Sequence, residues 1–334
     1  MTHQITIIGA GSWGSALARI ISDNGTPVML YDVDQATIDE INTFHTNQKK
    51  LPNGVLNEHV RATTDMATAL EFGDIVLLVV PTKVLRNALS TIKEHLKTPK
   101  LFVNASKGLE PDTFLRVSEV VNDVIGKDLI KGFVALTGPS HAEEVILQML
   151  TLVCAASTNL AHAKLIQKIF SNQTYFRVYT ATDLVGAELG GALKNIIALA
   201  SGIITGLGYG DNAKAALVTR GLVEIQKLAV ALGANPATLF GLTGLGDLVV
   251  TCYSEHSRNF QAGKKIGSGK DLQKTLSEMT MVVEGARTCE AAYFAGRKLK
   301  VETPIIDAIY NIIYQQHDPH KEIQKLMQRA LRSE

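Results

Sequence analysis

Along the first half of the chain, short runs of Val, Ile and Leu alternate with stretches whose apolar residues recur at helical spacing. Candidate strands cover residues 4–8, 27–31, 75–80, 101–104, 133–136, 152–155 and 175–178. They lack polar alternation, as strands covered on both faces do. The alternation of such strands with helical stretches predicts an α/β fold with a doubly wound, mostly parallel Rossmann-type sheet. Near Thr182 the pattern changes. Helical periodicity then dominates, over residues 184–205, 212–232, 236–240, 259–266, 286–298 and 304–315, which predicts an all-helical second domain. The expected division is 1–182 for a dinucleotide-binding domain and 183–334 for a helical substrate-binding domain.

Between the first strand and the first helical stretch lies Gly9-Ala10-Gly11-Ser12-Trp13-Gly14, a G-x-G-x-x-G turn. Strand, glycine turn and helix start follow in the order a dinucleotide site needs. Gly9 permits the tight turn, Gly11 removes the Cβ that would keep a pyrophosphate from the backbone, and Gly14 lets helix and strand pack closely. The helix start then offers N–H groups and its positive dipole end to phosphates. Asp32 follows the second strand, eighteen positions beyond Gly14. A carboxylate there can accept ribose hydroxyls and repel the 2′-phosphate of NADP, so NAD is favoured; a turn-forming role in Asp32-Val33-Asp34 is the alternative.

Further loops leave the carboxyl edge of the sheet. Leu51-Pro52-Asn53-Gly54 reads as a turn, and Val79-Val80-Pro81-Thr82 closes the third predicted strand, where proline cannot continue a ladder. Asn104-Ala105-Ser106-Lys107-Gly108 offers a lysine on a small-residue turn, which is either solvated or functional. Thr137-Gly138-Pro139-Ser140-His141-Ala142 has turn chemistry leading into a helix, with Ser140 as a substrate contact or a cap.

In the second half, Lys194 lies among apolar and small neighbours in Gly190-Gly191-Ala192-Leu193-Lys194-Asn195. Burial disfavours a charged ammonium, so Lys194 is a candidate proton donor unless its stem merely lies along the core. Asp247 follows Leu242-Thr243-Gly244-Leu245-Gly246, read as a glycine-bounded turn from which a carboxylate could orient a lysine. Thr251 comes next, then Ser257-Arg258-Asn259 opening a helix. With Ser257 as N-cap, a cation, an amide and free N–H groups share one helix end, a combination suited to phosphate. His317-Asp318-Pro319-His320 makes a poor metal site, because Pro319 is expected to break the helix that would align the imidazoles.

Charge and composition narrow the partners. With 33 basic and 32 acidic residues the formal charge is +1. That gives no electrostatic reason to expect nucleic acid or anionic membrane, so phosphate recognition should be local. Cys154, Cys252 and Cys289 are too widely spaced for a disulfide framework or metal cluster. No signal-peptide pattern opens the chain, so a cytoplasmic protein is expected. Residues 184–206 are apolar and about long enough to cross a bilayer. Glu188, Lys194, the glycines and the lack of flanking belts predict instead a buried helix packed through small residues, with no stable membrane insertion.

With these stretches in hand, the chain resembles bacterial NAD(P)-dependent glycerol-3-phosphate dehydrogenases. The likeness is carried by G-S-W-G, N-A-S-K-G-L-E, L-T-G-P-S-H-A-E-E-V, A-L-K-N and H-S-R-N, in order from about residue 4 to residue 290. The resemblance implies hydride transfer between nicotinamide and C2 of glycerol 3-phosphate, with dihydroxyacetone phosphate as the ketone, feeding glycerophospholipid synthesis. It assigns Ser12, Trp13 and Lys107 to the cofactor, with Lys107 also reaching the substrate. Lys194 would be the proton donor and acceptor. Gly138, Ser140, Asp247, Ser257, Arg258 and Asn259 would line the glycerol phosphate site, with Arg258 shared with the cofactor. Ala142, Val282 and Glu284 would complete the cofactor pocket, and Asn195 and Thr251 would be active-site neighbours. A homodimer is implied, and no metal. One departure is visible: many members place a small and then a basic residue after the second strand, where this chain has Asp32-Val33, and this again favours NAD. The rival readings are a two-domain dehydrogenase of another small hydroxy or keto acid, and a silent NAD(H)-binding sensor. The sensor would be expected to lack Lys107 or Lys194, and both are present.

Overall fold

Eight strands form one sheet: β1 (Ile5–Ile8), β2 (Val28–Tyr31), β3 (Arg61–Thr63), β4 (Ile75–Leu78), β5 (Lys100–Asn104), β6 (Ile130–Thr137), β7 (Thr151–Ala156) and β8 (Phe176–Ala181). Their order is β3-β2-β1-β4-β5-β6-β7-β8, in a computed structural model that describes residues 3–111, 113–270, 283–331 and 333. The first six strands are parallel where they pair, with Ile5 of β1 opposite both Val28 of β2 and Ile75 of β4. This is the doubly wound order, and its topological switch point lies between β1 and β4. Only the four-residue helix Ala142–Val145 separates β6 from β7, and β7 returns antiparallel, with Thr137 opposite Cys154. β7 and β8 are again parallel.

Successive strand residues enter different cores. Ile5, Ile7, Ile75, Leu77, Leu101, Val103, Val134 and Leu136 pack with the helices Ser12–Asp23 and Leu160–Phe170. Ile8, Val76, Leu78, Phe102, Phe133 and Ala135 pack on the other face with Met66–Phe72, Thr82–His95 and Val117–Ile125. Both faces are dry, which explains why the strands carry apolar runs rather than alternation. β3 departs from the expectation. It is a three-residue edge strand whose Arg61 is exposed, so no apolar run marks it in the sequence.

The chain divides into two compact units, Met1–Glu188 and Leu189–Glu334, with the division inside the helix Leu184–Gly206. The second unit has helices and no strand among its described residues: Asp211–Ala231, Asp247–Tyr253, Arg258–Gly267, Glu284–Leu299, Pro304–Tyr314 and Pro319–Met327 follow, with 3-10 and π turns at Pro236–Phe240 and Leu242–Gly246. The long apolar helix is core, mostly buried within the protein. It packs through small residues as expected. A Cβ on Gly202 would meet the Phe260 carbonyl at 2.1 Å, and one on Gly263 would meet the Leu199 carbonyl at 2.0 Å, so the two helix backbones touch.

Two local expectations are corrected. Asp247 does not lie within the glycine-bounded turn: the turn, Leu242–Gly246, runs straight into the helix Asp247–Tyr253, with Asp247 as its first residue. Pro319 does not break a helix but starts one, at the position where its missing N–H costs nothing, with Asp318 as N-cap accepting from Lys321 N.

Candidate cofactor and active site

The glycine turn closes β1 at the switch point. Gly9 adopts φ +112°, and a Cβ there would lie 3.0 Å from the Val79 carbonyl at the end of β4. A Cβ on Gly14 would fall 2.0 Å from the Gly9 carbonyl, so helix and turn touch backbone to backbone. A Cβ on Gly11 would meet nothing within 4 Å among the described residues. The three glycines thus divide as expected: a strained turn, an open approach and a close packing contact. Gly11 is also the N-cap of Ser12–Asp23, with no side-chain cap and no acidic residue in the first turn. Trp13 packs against the core, and its indole N–H is buried with no partner among the described residues. An uncapped helix start, an open Gly11 and an unused donor fit a dinucleotide pyrophosphate.

Asp32 sits at the end of β2 with both carboxylate oxygens engaged. Oδ2 accepts from Ala10 N at 2.8 Å and Oδ1 from Asp34 N at 3.1 Å. The turn-forming alternative is therefore present in the structure. It leaves the second lone pair of each oxygen for a ribose hydroxyl, so one carboxylate can fill both roles.

The loops after β5 and β6 meet. Lys107 Nζ donates to the Gly138 carbonyl at 3.1 Å, and Ser140 Oγ donates to the same oxygen at 2.9 Å. Ser140 is thus a loop staple here and not a cap, and Ala142, buried, opens the short helix behind it. Gly138 holds φ +144°, a conformation that favours glycine. A residue outside the candidate set fixes the lysine loop: Glu110, 6% exposed, takes a bidentate bond from Arg86, at 2.7 Å from Nε and 2.8 Å from Nη2. The Arg86 guanidinium, with the Thr113 hydroxyl, holds the Glu110 carboxyl below its ordinary value against the opposing effect of burial. Its signal in the sequence is its place at the end of N-A-S-K-G-L-E.

In the second unit Lys194 is 4% exposed and Asp247 1%. Lys194 Nζ lies 2.5 Å from Asp247 Oδ1 and 2.6 Å from Thr251 Oγ1, and Thr251 Oγ1 donates to the Asp247 carbonyl at 2.5 Å. The buried ammonium is thus neutralised by a carboxylate and oriented by a hydroxyl. Gly190, one helical turn before Lys194, makes this possible. A Cβ there would come within 2.6 Å of the Thr243 carbonyl, so the turn that leads into Asp247 lies directly on the helix carrying Lys194.

Ser257 caps Arg258–Gly267 by accepting from Phe260 N at 3.3 Å, which leaves Arg258 exposed at the first helical position. Asn259 is 8% exposed, and its Oδ1 accepts from Gly285 N at 2.8 Å, turning its amide N–H₂ to other acceptors. Gly285 has no room for a side chain, because a Cβ would sit 2.4 Å from the carbonyl of Asn195, itself buried. Glu284 is the first residue of Glu284–Leu299. Val282 lies outside the described residues. Cys154, Cys252 and Cys289 are buried, and burial pushes the first two thiols up to about 11 and about 12, far from reactive thiolates. A groove of about 870 Å³ lined by Met29, His45, Glu58, His59 and Arg61 lies beside β3 and contains none of the candidate residues.

A Rossmann sheet with an open glycine turn at its switch point, followed by a helical unit with a buried, carboxylate-paired lysine, defines a nicotinamide-dependent dehydrogenase. Two family models match in sequence: the N-terminus of NAD-dependent glycerol-3-phosphate dehydrogenase over residues 4–163, and its C-terminus over residues 183–324. The glycerol-3-phosphate dehydrogenase [NAD(P)+] of Enterococcus faecalis is 49% identical over 334 residues, covering 100% of this chain and 98% of that protein. That of Staphylococcus aureus is 47% identical over 331 residues, covering 99% of each. The crystal structure of glycerol-3-phosphate dehydrogenase from Coxiella burnetii superposes with a TM-score of 0.91 at 34% identity, covering 98% of this chain and 99% of that one. The chain belongs to the NAD(P)-dependent glycerol-3-phosphate dehydrogenase family and is an oxidoreductase that uses NAD(P).

Proposed function

We propose that the protein reduces dihydroxyacetone phosphate reversibly to sn-glycerol 3-phosphate, prefers NADH to NADPH, and supplies the glycerol phosphate of glycerophospholipids as a cytoplasmic homodimer. The observation that carries the chemistry is the buried Lys194–Asp247–Thr251 cluster. The bound nicotinamide supplies or takes the hydride at C2. As that carbon gains hydride, negative charge grows on the ketone oxygen; Lys194 stabilises it and donates the proton, then takes it back in the reverse direction. Asp247 and Thr251 hold the ammonium, and Asn195 neighbours it in sequence. Lys107, tethered to the Gly138 carbonyl, offers a second cation to cofactor and substrate beside Ser140.

Remote binding energy comes from the phosphate. Arg258, the Asn259 amide and the Ser257-capped helix start receive it and so fix C2 for reaction. Ser12, Trp13 and the glycine turn hold the cofactor pyrophosphate, Ala142 and Glu284 border it, and Asp32 takes the ribose hydroxyls. An added 2′-phosphate at Asp32 meets a carboxylate, and the preference for NADH follows.

The test is an absorbance assay of the purified protein with NADH or NADPH and dihydroxyacetone phosphate. Consumption of NADH is expected, with kcat/KM for NADPH at least about tenfold lower, the size of one unfavourable charge contact. Absence of turnover with either cofactor overturns the reading, and equal efficiency removes the role of Asp32. Arg258→Ala should raise KM for dihydroxyacetone phosphate and leave that for unphosphorylated dihydroxyacetone nearly unchanged.

A further inference from the structure

Asn47 lies in the loop after the helix Gln35–Phe44, outside every stretch assigned above, yet it is only 2% exposed. Its Nδ2 donates to the Ala10 carbonyl at 2.8 Å and to Ser15 Oγ at 3.0 Å. Ala10 stands between the first two glycines of the turn, and its N–H donates to Asp32 Oδ2 at 2.8 Å. Both polar groups of one turn residue are therefore gripped by side chains from remote parts of the chain. The Asn47 backbone is itself anchored, since its carbonyl accepts from Lys50 N at 3.1 Å and Leu51 N at 2.7 Å. Ser12 Oγ in turn donates to the Lys50 carbonyl at 2.5 Å. This loop is thus laced to the glycine turn at Ala10, Ser12 and Ser15.

The amide orientation follows from chemistry. The Ala10 carbonyl can only accept, so the N–H₂ end must face it. Asn47 Oδ1 is then buried with no partner among the described residues. An unsatisfied buried acceptor is costly, and an apolar side chain would avoid it. What an apolar side chain could not do is hold Ala10.

We propose that Asn47 is a positioning residue for the dinucleotide: by gripping the Ala10 carbonyl while Asp32 grips its N–H, it fixes the peptide planes of the glycine turn that receives the pyrophosphate. Without the grip, the turn must be ordered when the cofactor arrives, at the expense of affinity. This rests on reading Gly9 to Gly14 as the cofactor cradle. The effect falls on cofactor binding and not on the chemical step.

The experiment is a calorimetric titration of NADH into the wild-type protein and into Asn47→Ala, Asn47→Asp, Ser15→Ala and Gly11→Val, with melting temperatures measured alongside. Asn47→Ala should raise the NADH Kd about tenfold, the scale of losing one buried hydrogen bond. In turnover, KM for NADH should rise while kcat stays within about twofold, since uniform binding alone is lost. Asn47→Asp keeps the shape but turns an acceptor toward the Ala10 carbonyl, so its loss should be at least as large; it serves if the alanine variant does not fold. Ser15→Ala leaves the bond to Ala10 in place and should keep the Kd within about twofold. A lower melting temperature with unchanged Kd in the Asn47 variants overturns the proposal, as does an equal loss in Ser15→Ala. Gly11→Val should abolish binding. If it binds NADH like the wild type, the cradle itself is misplaced, which separates that failure from a failure of the Asn47 assignment alone.

Discussion

In the proposed cofactor cradle of the first unit the groups offered to the ligand are backbone N–H donors at the glycine turn, and side chains position that turn: Asp32 and Asn47 grip Ala10 from either side. In the second unit the proposed proton donor is a side chain, and close backbone contact positions it: Gly190 against the Thr243 carbonyl brings Asp247 to Lys194. The difference teaches where each site is vulnerable. A backbone cradle fails when a Cβ intrudes or an anchor is lost, whereas a buried charge cluster fails when one member loses its partner.

The largest effect on stability should come from splitting that cluster. Asp247→Asn keeps the side chain's size but removes the carboxylate charge beside the buried Lys194 ammonium, and breaking such a pair costs about 3–5 kcal/mol. Denaturant unfolding should show a midpoint shift of that order. An unchanged midpoint would mean that the charges are not coupled.

A second buried charge in this unit predicts a pH dependence. Glu224, 6% exposed, accepts from the N–H groups of Ile305 and Ile306 at the start of Pro304–Tyr314. Burial pushes its carboxyl from the ordinary 4.5 up to about 7, against the two backbone bonds. Because the folded-state value is raised, this stability is fully present below about pH 4.5 and is lost as pH rises through about 7; it amounts to about 3 kcal/mol. In Glu224→Gln that slope should vanish. Melting temperatures across this window decide it, and a variant that keeps the wild-type slope would assign the dependence elsewhere.

Smaller in stability, and sharper as a contrast, are two glycine substitutions in the first unit. Gly14→Ala places a methyl 2.0 Å from the Gly9 carbonyl and should cost about 1–3 kcal/mol as the backbone shifts. Gly11→Ala enters open space, so the melting temperature should hold while NADH affinity falls. If both variants lose stability equally, Gly11 is a packing glycine and not an approach to a ligand.

Much of this architecture was legible in sequence because it is local. The strands and the glycine turn are written in contiguous residues, and Ser257 is the N-cap its position suggested. The misreadings share a cause. Gly244 and Gly246 suggested a turn that held Asp247, yet the π turn they occupy joins without a break a helix that begins at Asp247. Pro319 suggested a break, yet it opens a helix. β3, three residues with an exposed arginine, carries no pattern to detect. What sequence could not supply is contact at a distance: the Lys194–Asp247 pair spans 53 positions and the Asn47–Ala10 bond spans 37. Such pairs are set by topology, and no local spacing announces them.

The proposed division between a cofactor cradle in one unit and a proton-transfer group in the other is tested most directly by Lys194→Met, assayed for NADH binding and for turnover with dihydroxyacetone phosphate. NADH Kd within about twofold of wild type, with kcat lower by about 10²–10⁴, is expected for loss of a general acid. Retained turnover, or a loss of NADH binding that accounts for the whole decline, would contradict it.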